Sequence, residues 1–147
     1  IIGRGMKSKS ITLIEVENVA YTLARELMTY NEPIPEFNSR FPNILESCLA
    51  VPFQTFDKKL VYKGLIGKAS ILFYLLIKNH PFQNGNKRIA ITTLMVFLYI
   101  NNKWIEVDNQ EFYNFAKWVA ASNPKVKEAT VAAIEKFLET YIVKLVN

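Results

Sequence analysis

Two apolar segments of helical length, residues 62–79 and 85–100, stand on either side of one short polar loop. In both segments apolar side chains cover most of the circumference of a helix, and a helix of that kind has to be buried. The loop carries the only histidine of the chain, His80, which is followed by a proline and then by a glycine-centred polar run. A fold that buries both helices therefore places this polar loop at one end of its core.

Four further helices are predicted around this central pair. Thr12 and Glu15 form a capping box that starts the first helix, and apolar residues recur at helical spacing after it. Pro124 suits the first position of the last helix, whose inward face is predicted to extend to Ile142 and to include Val126 and Ala129. The sequence thus predicts an all-α fold, a compact bundle of about six helices. The predicted helices cover about 12–30, 42–51, 62–79, 85–100, 109–121 and 124–142.

The stretch before the central helices mixes polar and aromatic residues and is predicted to form a loop or a small hairpin. It begins with Phe53, Gln54, Thr55 and Phe56 and continues to Val61. This mixture of polar and aromatic residues makes it the best candidate in the sequence for a flap that docks a substrate. A purely structural connector is the alternative.

Length and composition predict one globular domain. The chain has 147 residues, of which 50% are apolar, enough for a single core. Residues 1–5 precede a methionine and are interpreted as an expression remnant or a disordered extension, which leaves 6–147 as the domain. A single cysteine, Cys48, cannot form an intramolecular disulfide, so the chain suits a reducing compartment and we expect it in the cytoplasm. Cys48 lies in an apolar helical pattern and is predicted to be a core residue rather than a nucleophile.

The net charge of +5 favours acidic partners such as nucleotides, nucleic acids or acidic protein segments. The lysines are scattered, without a basic run or a nucleic-acid-binding motif, so a nucleic acid is the least favoured of these partners. Ordinary solvated lysines are the simpler explanation of the charge. No apolar segment reaches the roughly 20 residues that a membrane-spanning helix needs, so no membrane partner is expected.

The start of the second central helix has the features of an anion site. The first amides of a helix have no partner within the helix, and the helix dipole attracts negative charge there. Gly85 would let a phosphate approach the backbone, while Asn86, Lys87 and Arg88 would supply donors in the first turn. His80 lies just before this site, and its imidazole can take a proton from a hydroxyl that attacks phosphorus.

A structural interpretation of the same residues remains open. His80 would then only terminate a helix, Phe82 would fill a gap in the core, and Asn84 would be an ordinary N-cap. The residues alone do not choose between these two interpretations.

Residues 80–88, with the sequence HPFQNGNKR, resemble the motif of the Fic/Doc family, H-P-F-x-D/E-G-N-G/K-R. Every fixed position matches except the acidic one, which is Asn84. Lys87 at the eighth position, and Ile91 where AMP-transferring members have a second arginine, place the chain nearer the Doc ("death on curing") branch. The resemblance extends from Ile11 into the last helices.

The resemblance implies the Fic fold and a reaction. His80 would be the general base that deprotonates a target hydroxyl, Phe82 would anchor the loop, and Arg88 would support the transferred group. Gly85, Asn86, Lys87 and Arg88 would bind the phosphates of a Mg-bound nucleoside triphosphate such as ATP. Fic members commonly transfer AMP to proteins, whereas the Doc branch phosphorylates a translation elongation factor and is the toxin of a toxin–antitoxin pair.

Two departures from the family pattern matter. Asn84 replaces the acid that ligates Mg, and its amide oxygen supplies a weaker ligand without negative charge. A non-catalytic module that binds a nucleotide or a partner therefore stands as the alternative function. The family's inhibitory motif, S/T-x-x-x-E-G/N, is incomplete at Glu17 and Asn18, because Leu13 stands at the Ser/Thr position. A separate antitoxin protein is the expected restraint.

Overall fold

The computed structural model describes residues 8–27 and 33–145. Within these ranges six helices and two short antiparallel strand pairs are present, so the predicted all-α bundle of about six helices is confirmed. Helix α1 is continuous through Leu13–Glu15, a π-helical turn at Val16–Ala20, and Tyr21–Leu27. The other helices are α2 (Pro42–Ala50), α3 (Gly64–Lys78), α4 (Asn86–Ile100), α5 (Asn109–Ala121) and α6 (Lys127–Tyr141).

Helices α3 and α4 form the centre of the bundle. Every residue from Lys68 to Ile77 in α3 is buried, and so is every residue from Arg88 to Leu98 in α4. The two helices pack against each other, and α6 and α5 cover the sides of this pair, while α1 packs on α4. The polar loop between them therefore lies at one end of the core, as the two apolar segments predicted.

Helix α1 begins as the sequence predicts and is tied to α4 by side-chain donors. The Thr12 side chain accepts from the amide of Glu15, whose carboxylate accepts from the Thr12 amide at 2.8 Å. The π-helical turn changes the pattern of backbone hydrogen bonds within α1. At the last residue of this turn, the carbonyl of Ala20 accepts a hydrogen bond from the Thr92 hydroxyl of α4 at 2.8 Å. The predicted end of this helix at Tyr30 and the predicted extension at residues 1–5 lie outside the described residues.

The stretch after α2 forms a small hairpin. Strand β1 (Thr55–Phe56) pairs antiparallel with β2 (Lys59–Leu60), and Thr55 lies opposite Leu60. Asp57 and Lys58, the two turn residues, have positive φ angles of 54° and 65°, as a two-residue turn that follows the twist of its strands requires.

A second strand pair, β3 (Lys103–Ile105) with β4 (Ile142–Lys144), corrects the predicted last helix. That helix ends at Tyr141, and Ile142 pairs with Ile105 instead of continuing inward as a helical residue. The predicted inward positions Val126 and Ala129 are also wrong, because both residues are exposed. Pairing with a distant strand overrides helical periodicity here, because it satisfies the backbone groups of both segments.

None of the helices in the described ranges combines the length and the hydropathy that crossing a bilayer requires.

Candidate active site

The polar loop starts where α3 ends. Asn79 closes the helix by donating its amide to the carbonyl of Leu75 at 2.9 Å. His80 then adopts the left-handed conformation, with φ at 49°, and Pro81 follows it. A left-handed residue just after a helix reverses the chain direction, and histidine is one of the few residues other than glycine that is enriched in this region. The imidazole is consequently carried out of the helix into solvent, where His80 is exposed.

Phe82 holds the middle of the loop in the core. Its side chain is fully buried, with ring centroids 5.4 Å from Tyr21 and 6.3 Å from Phe37. The amide of Asn86 bonds to the main chain of Phe82 at both ends, since Oδ1 accepts from the N–H at 3.0 Å and Nδ2 donates to the carbonyl at 2.9 Å. The loop is thus closed on the first turn of α4 by a buried side chain.

The segment before α2 supports the loop from the other side. The amide of Phe41 donates to the carbonyl of Pro81 at 2.9 Å. Nε2 of Gln83 donates to the carbonyl of Ser39 at 3.3 Å. Main-chain groups on both sides of Phe82 are therefore fixed by a segment about forty residues earlier in the chain.

Gly85 is the N-cap of α4, so the alternative interpretation of Asn84 as N-cap is wrong. Its φ of 73° lies in the left-handed region, and a Cβ there would stand 2.7 Å from Cδ1 of Ile34 and 3.0 Å from the carbonyl oxygen of Pro33. The glycine allows a close approach, and in this structure the approaching group belongs to the chain itself. Asn84 instead accepts the Gly85 amide on Oδ1 at 2.9 Å.

A cleft of about 290 Å³ opens between the loop and the end of α5. Four residues that the sequence singled out, His80, Asn84, Asn86 and Lys87, come together around it. Gly85 and Arg88 are not among its lining residues. The lining consists of Ile77, His80, Gln83, Asn84, Asn86, Lys87 and Ala120.

Arg88 extends away from the cleft toward α1. It is buried, and Nη2 donates to the carbonyl of Ala24 at 2.7 Å. Arg88 therefore fixes α1 against the first turns of α4 in this structure.

The far wall of the cleft was not predicted. Nζ of Lys78 donates to the carbonyls of Ala120 and Ser122, at 3.0 Å and 2.5 Å, and so attaches the end of α5 to the end of α3. A lysine in the last turn of a helix is a signal for capping, but nothing in the sequence indicates that the carbonyls belong to a different helix. Ile77 and Ala120 form the apolar sides of the cleft. Nothing in the sequence pattern distinguishes them from ordinary core residues.

The described residues that line the cleft include a cation, Lys87, and no carboxylate. Lys87 is half-buried, and the side-chain amides of Asn84 and Asn86 line the same cleft. Across the described ranges, no group of three or more His, Cys, Asp or Glu residues is arranged to hold a metal ion. The amide oxygen of Asn84 is the one predicted metal ligand, and it already accepts the amide of Gly85. The described side chains around this cleft therefore do not by themselves supply the several oxygen ligands that Mg requires.

The hairpin presents one aromatic residue to solvent. Phe56 is 79% exposed, and Gln54 and Thr55 are exposed as well. Phe53 differs from these three, because its half-buried ring packs against Phe97 of α4 with a centroid distance of 6.2 Å. The four predicted docking residues thus divide into an exposed strand and an inward anchor.

Cys48 lies in the core, as its helical pattern predicted. Burial raises the pKa of the thiol to about 11, although a hydrogen bond from the Asn79 side chain opposes the shift. The buried thiol is thus protonated at neutral pH, which agrees with the predicted role as a core residue.

Comparison with known proteins gives one match. The model of the Fic/DOC family matches residues 14–98, which span α1 to α4 and contain the hairpin and the complete polar loop. No curated protein and no solved structure matches the chain. Members of this family are typically transferases that adenylylate or phosphorylate a target, and they bind nucleoside triphosphates, often with Mg. Since the match covers more than half of the chain, including every residue of the loop, the chain belongs to the Fic/DOC family.

Proposed function

We propose that this chain is a Doc-branch transferase that moves phosphate from a nucleoside triphosphate to a hydroxyl side chain of a target protein. Transfer of AMP is the less favoured version of the same chemistry. One observation carries the proposal: His80 and Lys87 line the same cleft at the start of α4. In the proposal His80 is the base and Lys87 is the cation that binds phosphate, and their position at one small cleft supports both roles.

In the proposed reaction, the target hydroxyl oxygen attacks the γ-phosphorus and forms a new P–O bond. The bond from this phosphorus to the bridging oxygen breaks, and the nucleoside diphosphate leaves with the electron pair. The hydroxyl proton goes to the imidazole of His80, which is exposed and held beside the cleft by its left-handed backbone. For AMP transfer the attack would occur at the α-phosphorus, with pyrophosphate as the leaving group.

Phosphate binding in this proposal uses the first turn of α4. The backbone amides after Gly85 and the ammonium of Lys87 would interact favourably with the negative charge of a phosphate. Asn86 lines the same cleft. For Arg88 to support the transferred group, its guanidinium has to exchange the carbonyl of Ala24 for a phosphate oxygen. A movement of Arg88 on nucleotide binding is therefore part of the proposal.

Mg would enter this cleft with the nucleotide. Phosphate oxygens and water supply most ligands of Mg in many nucleotide sites, and Asn84 offers one amide oxygen. When bound, the ion would neutralise phosphate charge and orient the phosphates. The affinity should be lower than in family members that have a carboxylate at this position.

A binding module with little or no turnover is the second candidate, and specific observations favour it. Asn84 lacks the charge that attracts a metal, and the side chains of Asn86 and Arg88 are engaged with the main chain of Phe82 and Ala24. A chain of this kind would still bind phosphate at α4 and a partner at the hairpin.

The hairpin is the proposed docking site for the target protein. Phe56 offers an exposed aromatic side chain, and exposed strand edges can pair with an extended segment of a partner. We further propose that the target is a translation factor, that the chain acts in the cytoplasm, and that a separate antitoxin protein restrains it. These proposals follow the resemblance to the Doc branch.

The decisive experiment is label transfer. The chain is incubated with Mg and cell extract and with ATP labelled either at the γ- or at the α-phosphate. Label on a protein from the γ position indicates phosphotransfer, and label from the α position indicates AMP transfer. Asn84→Asp is expected to increase transfer, because it restores a charged oxygen ligand. Nucleotide binding by the parent without any transfer at high Mg would overturn the transferase and favour the binding module.

A further inference from the structure

Lys68 is a buried cation in the first half of α3. Only 4% of its surface is exposed. Among the described residues no carboxylate pairs with it, and burial lowers the pKa of its ammonium. A buried charge without a counter-ion is costly, and this position is close to the positive end of the α3 dipole, which raises the cost further. An apolar residue would fill the same space without that cost, so a specific contact has to explain the lysine.

The contacts of Lys68 are at the two ends of the hairpin. Nζ donates to the carbonyl of Tyr62 at 2.9 Å, just after β2. The same Nζ lies 5.6 Å from the ring centroid of Phe53, just before β1, within the range of a cation–π contact. One ammonium thus contacts the residue that leads into the hairpin and the residue that leads out of it.

The rest of the hairpin has little to hold it in place. All residues from Gln54 to Val61 are exposed. The amide of Val61 donates to the carbonyl of Gln54 at 3.2 Å and closes the base of the hairpin, but this bond and the strand pairing are internal to it. The angle between the hairpin and the helical core therefore depends on the base, where Phe53 also packs on Phe97.

We propose that Lys68 is a positioning residue that fixes the orientation of the hairpin relative to the helical core, because its buried ammonium contacts both ends of the hairpin. The role in docking rests on the proposed function, whereas the positioning of the hairpin by Lys68 does not. If a target protein binds along β1, the lysine sets where its hydroxyl is presented to His80. Lys68 contacts neither nucleotide nor target and acts through Phe53 and Tyr62.

The test measures amide hydrogen exchange on the chain alone, without nucleotide or target. Lys68→Met keeps the length of the side chain and removes the charge and the donor. Val61 is the reporter, because its bond to Gln54 closes the base of the hairpin between the two ends that Lys68 contacts. When the ammonium no longer holds these ends together, the amides of the hairpin are expected to exchange about tenfold faster or more, since a hydrogen bond from a charged donor is lost. The amides in the middle of α4 should exchange as in the parent. Lys63→Met is the matched control, because it removes an exposed charge at the N-cap of the same helix.

Unchanged exchange at Val61 in a folded Lys68→Met variant overturns the proposal. If Lys68→Met does not fold, Lys68→Gln decides, because this shorter neutral side chain loses the ammonium contacts with Tyr62 and Phe53 and leaves the packing of Phe53 on Phe97 in place. Faster exchange across the hairpin, with unchanged exchange in the middle of α4, supports the positioning role of Lys68. Exchange as in the parent overturns it.

Kinetics separate this proposal from the proposed function. In a chain that transfers label, Lys68→Met should raise KM for the target protein several-fold with a smaller change in kcat, and Lys68→Arg should recover part of the loss. If the parent transfers no label but Lys68→Met speeds exchange in the hairpin, the positioning role of Lys68 is supported and the proposed transferase activity is contradicted. If the parent transfers label and Lys68→Met changes neither exchange nor KM, the positioning role of Lys68 is contradicted and the proposed transferase activity is supported.

Discussion

Asn86 closes a ring of two hydrogen bonds with the main chain of Phe82, at 3.0 Å and 2.9 Å, inside the buried start of α4. The same residue lines the cleft that contains His80. The amide therefore has a structural role that precedes any contact with a ligand. It holds the loop in the shape that carries the imidazole to the cleft.

Replacing Asn86 should destabilise the fold. Asn86→Ala leaves a buried N–H and a buried carbonyl of Phe82 without partners, so we expect the free energy of unfolding to fall by about 2–4 kcal/mol. Urea denaturation measures the change. Asn84→Ala in the same loop is the control, since the exposed Asn84 bonds only to the adjacent amide and should cost below about 1 kcal/mol. Equal losses in the two variants would contradict the closed ring.

A comparison of Gly85 with Gly64 tests how closely neighbouring residues approach Gly85 at the start of α4. Both have positive φ, 73° and 71°, but a Cβ at Gly64 meets nothing within 4 Å, whereas one at Gly85 meets Ile34. Gly64→Ala should cost about 1–2 kcal/mol of unfolding free energy from backbone strain alone. Gly85→Ala should cost more, because Pro33 and Ile34 must also shift. Thermal denaturation of both variants gives the difference.

A second substitution tests the contact directly. Combining Gly85→Ala with Ile34→Val removes Cδ1 of Ile34, the atom nearest to the new methyl group. We expect this pair to recover part of the loss relative to the sum of the single variants. Strict additivity would show that the segment at Pro33 and Ile34 does not press on Gly85.

His80 should tolerate residues that accept its backbone geometry while losing the proposed chemistry. His80→Gly relieves the left-handed strain at φ 49°, so stability should stay equal or rise by up to about 1 kcal/mol. Transfer of label should fall by about 10²–10⁴-fold, because the general base is removed. His80→Asn serves as the control for the backbone, since asparagine also adopts this conformation. Transfer at the parent rate by either variant would rule out His80 as the base.

Alkaline pH should destabilise the fold through Tyr21 and Cys48. Burial raises the pKa of Tyr21 from 10.0 to about 12, although Arg25 and Arg40 oppose the shift, and burial raises that of Cys48 from 9.0 to about 11. In both cases the folded state binds the proton more tightly. The stabilisation is thus complete below the unfolded pKa and is lost as pH rises from 9.0 to about 12.

Tyr21→Phe separates the two groups. The Tyr21 hydroxyl is buried, and in the described part of the chain it has no hydrogen-bond partner. The substitution should therefore leave stability at neutral pH equal or slightly higher. Denaturation across the alkaline range should lose the part of the slope that Tyr21 contributes between pH 10.0 and about 12 and keep the part that Cys48 contributes between pH 9.0 and about 11. A slope identical to that of the parent would contradict the assignment to Tyr21.

Local patterns in the sequence predicted what depends on neighbouring residues. The capping box of Thr12 and Glu15, the helical content of α3 and α4, and a hairpin as one interpretation of the segment after α2 all follow from spacing and residue type. The short strand at Ile142 was missed, because its partner at Ile105 is distant in sequence. Gly85 was interpreted as space for a phosphate, and the contact with Ile34 could not be foreseen for the same reason.

By itself the sequence determined the all-α class, the two buried central helices and the motif from His80 to Arg88, because helical periodicity and a nine-residue motif are local properties of a chain. Only the tertiary structure decided which of these residues share the cleft. It directed Arg88 to the carbonyl of Ala24, brought Lys78 to the end of α5, and placed Lys68 beneath the hairpin. Each of these contacts satisfies a main-chain carbonyl with a long cationic side chain. The partner of such a side chain is set by how helices pack, which the order of residues along one helix does not contain.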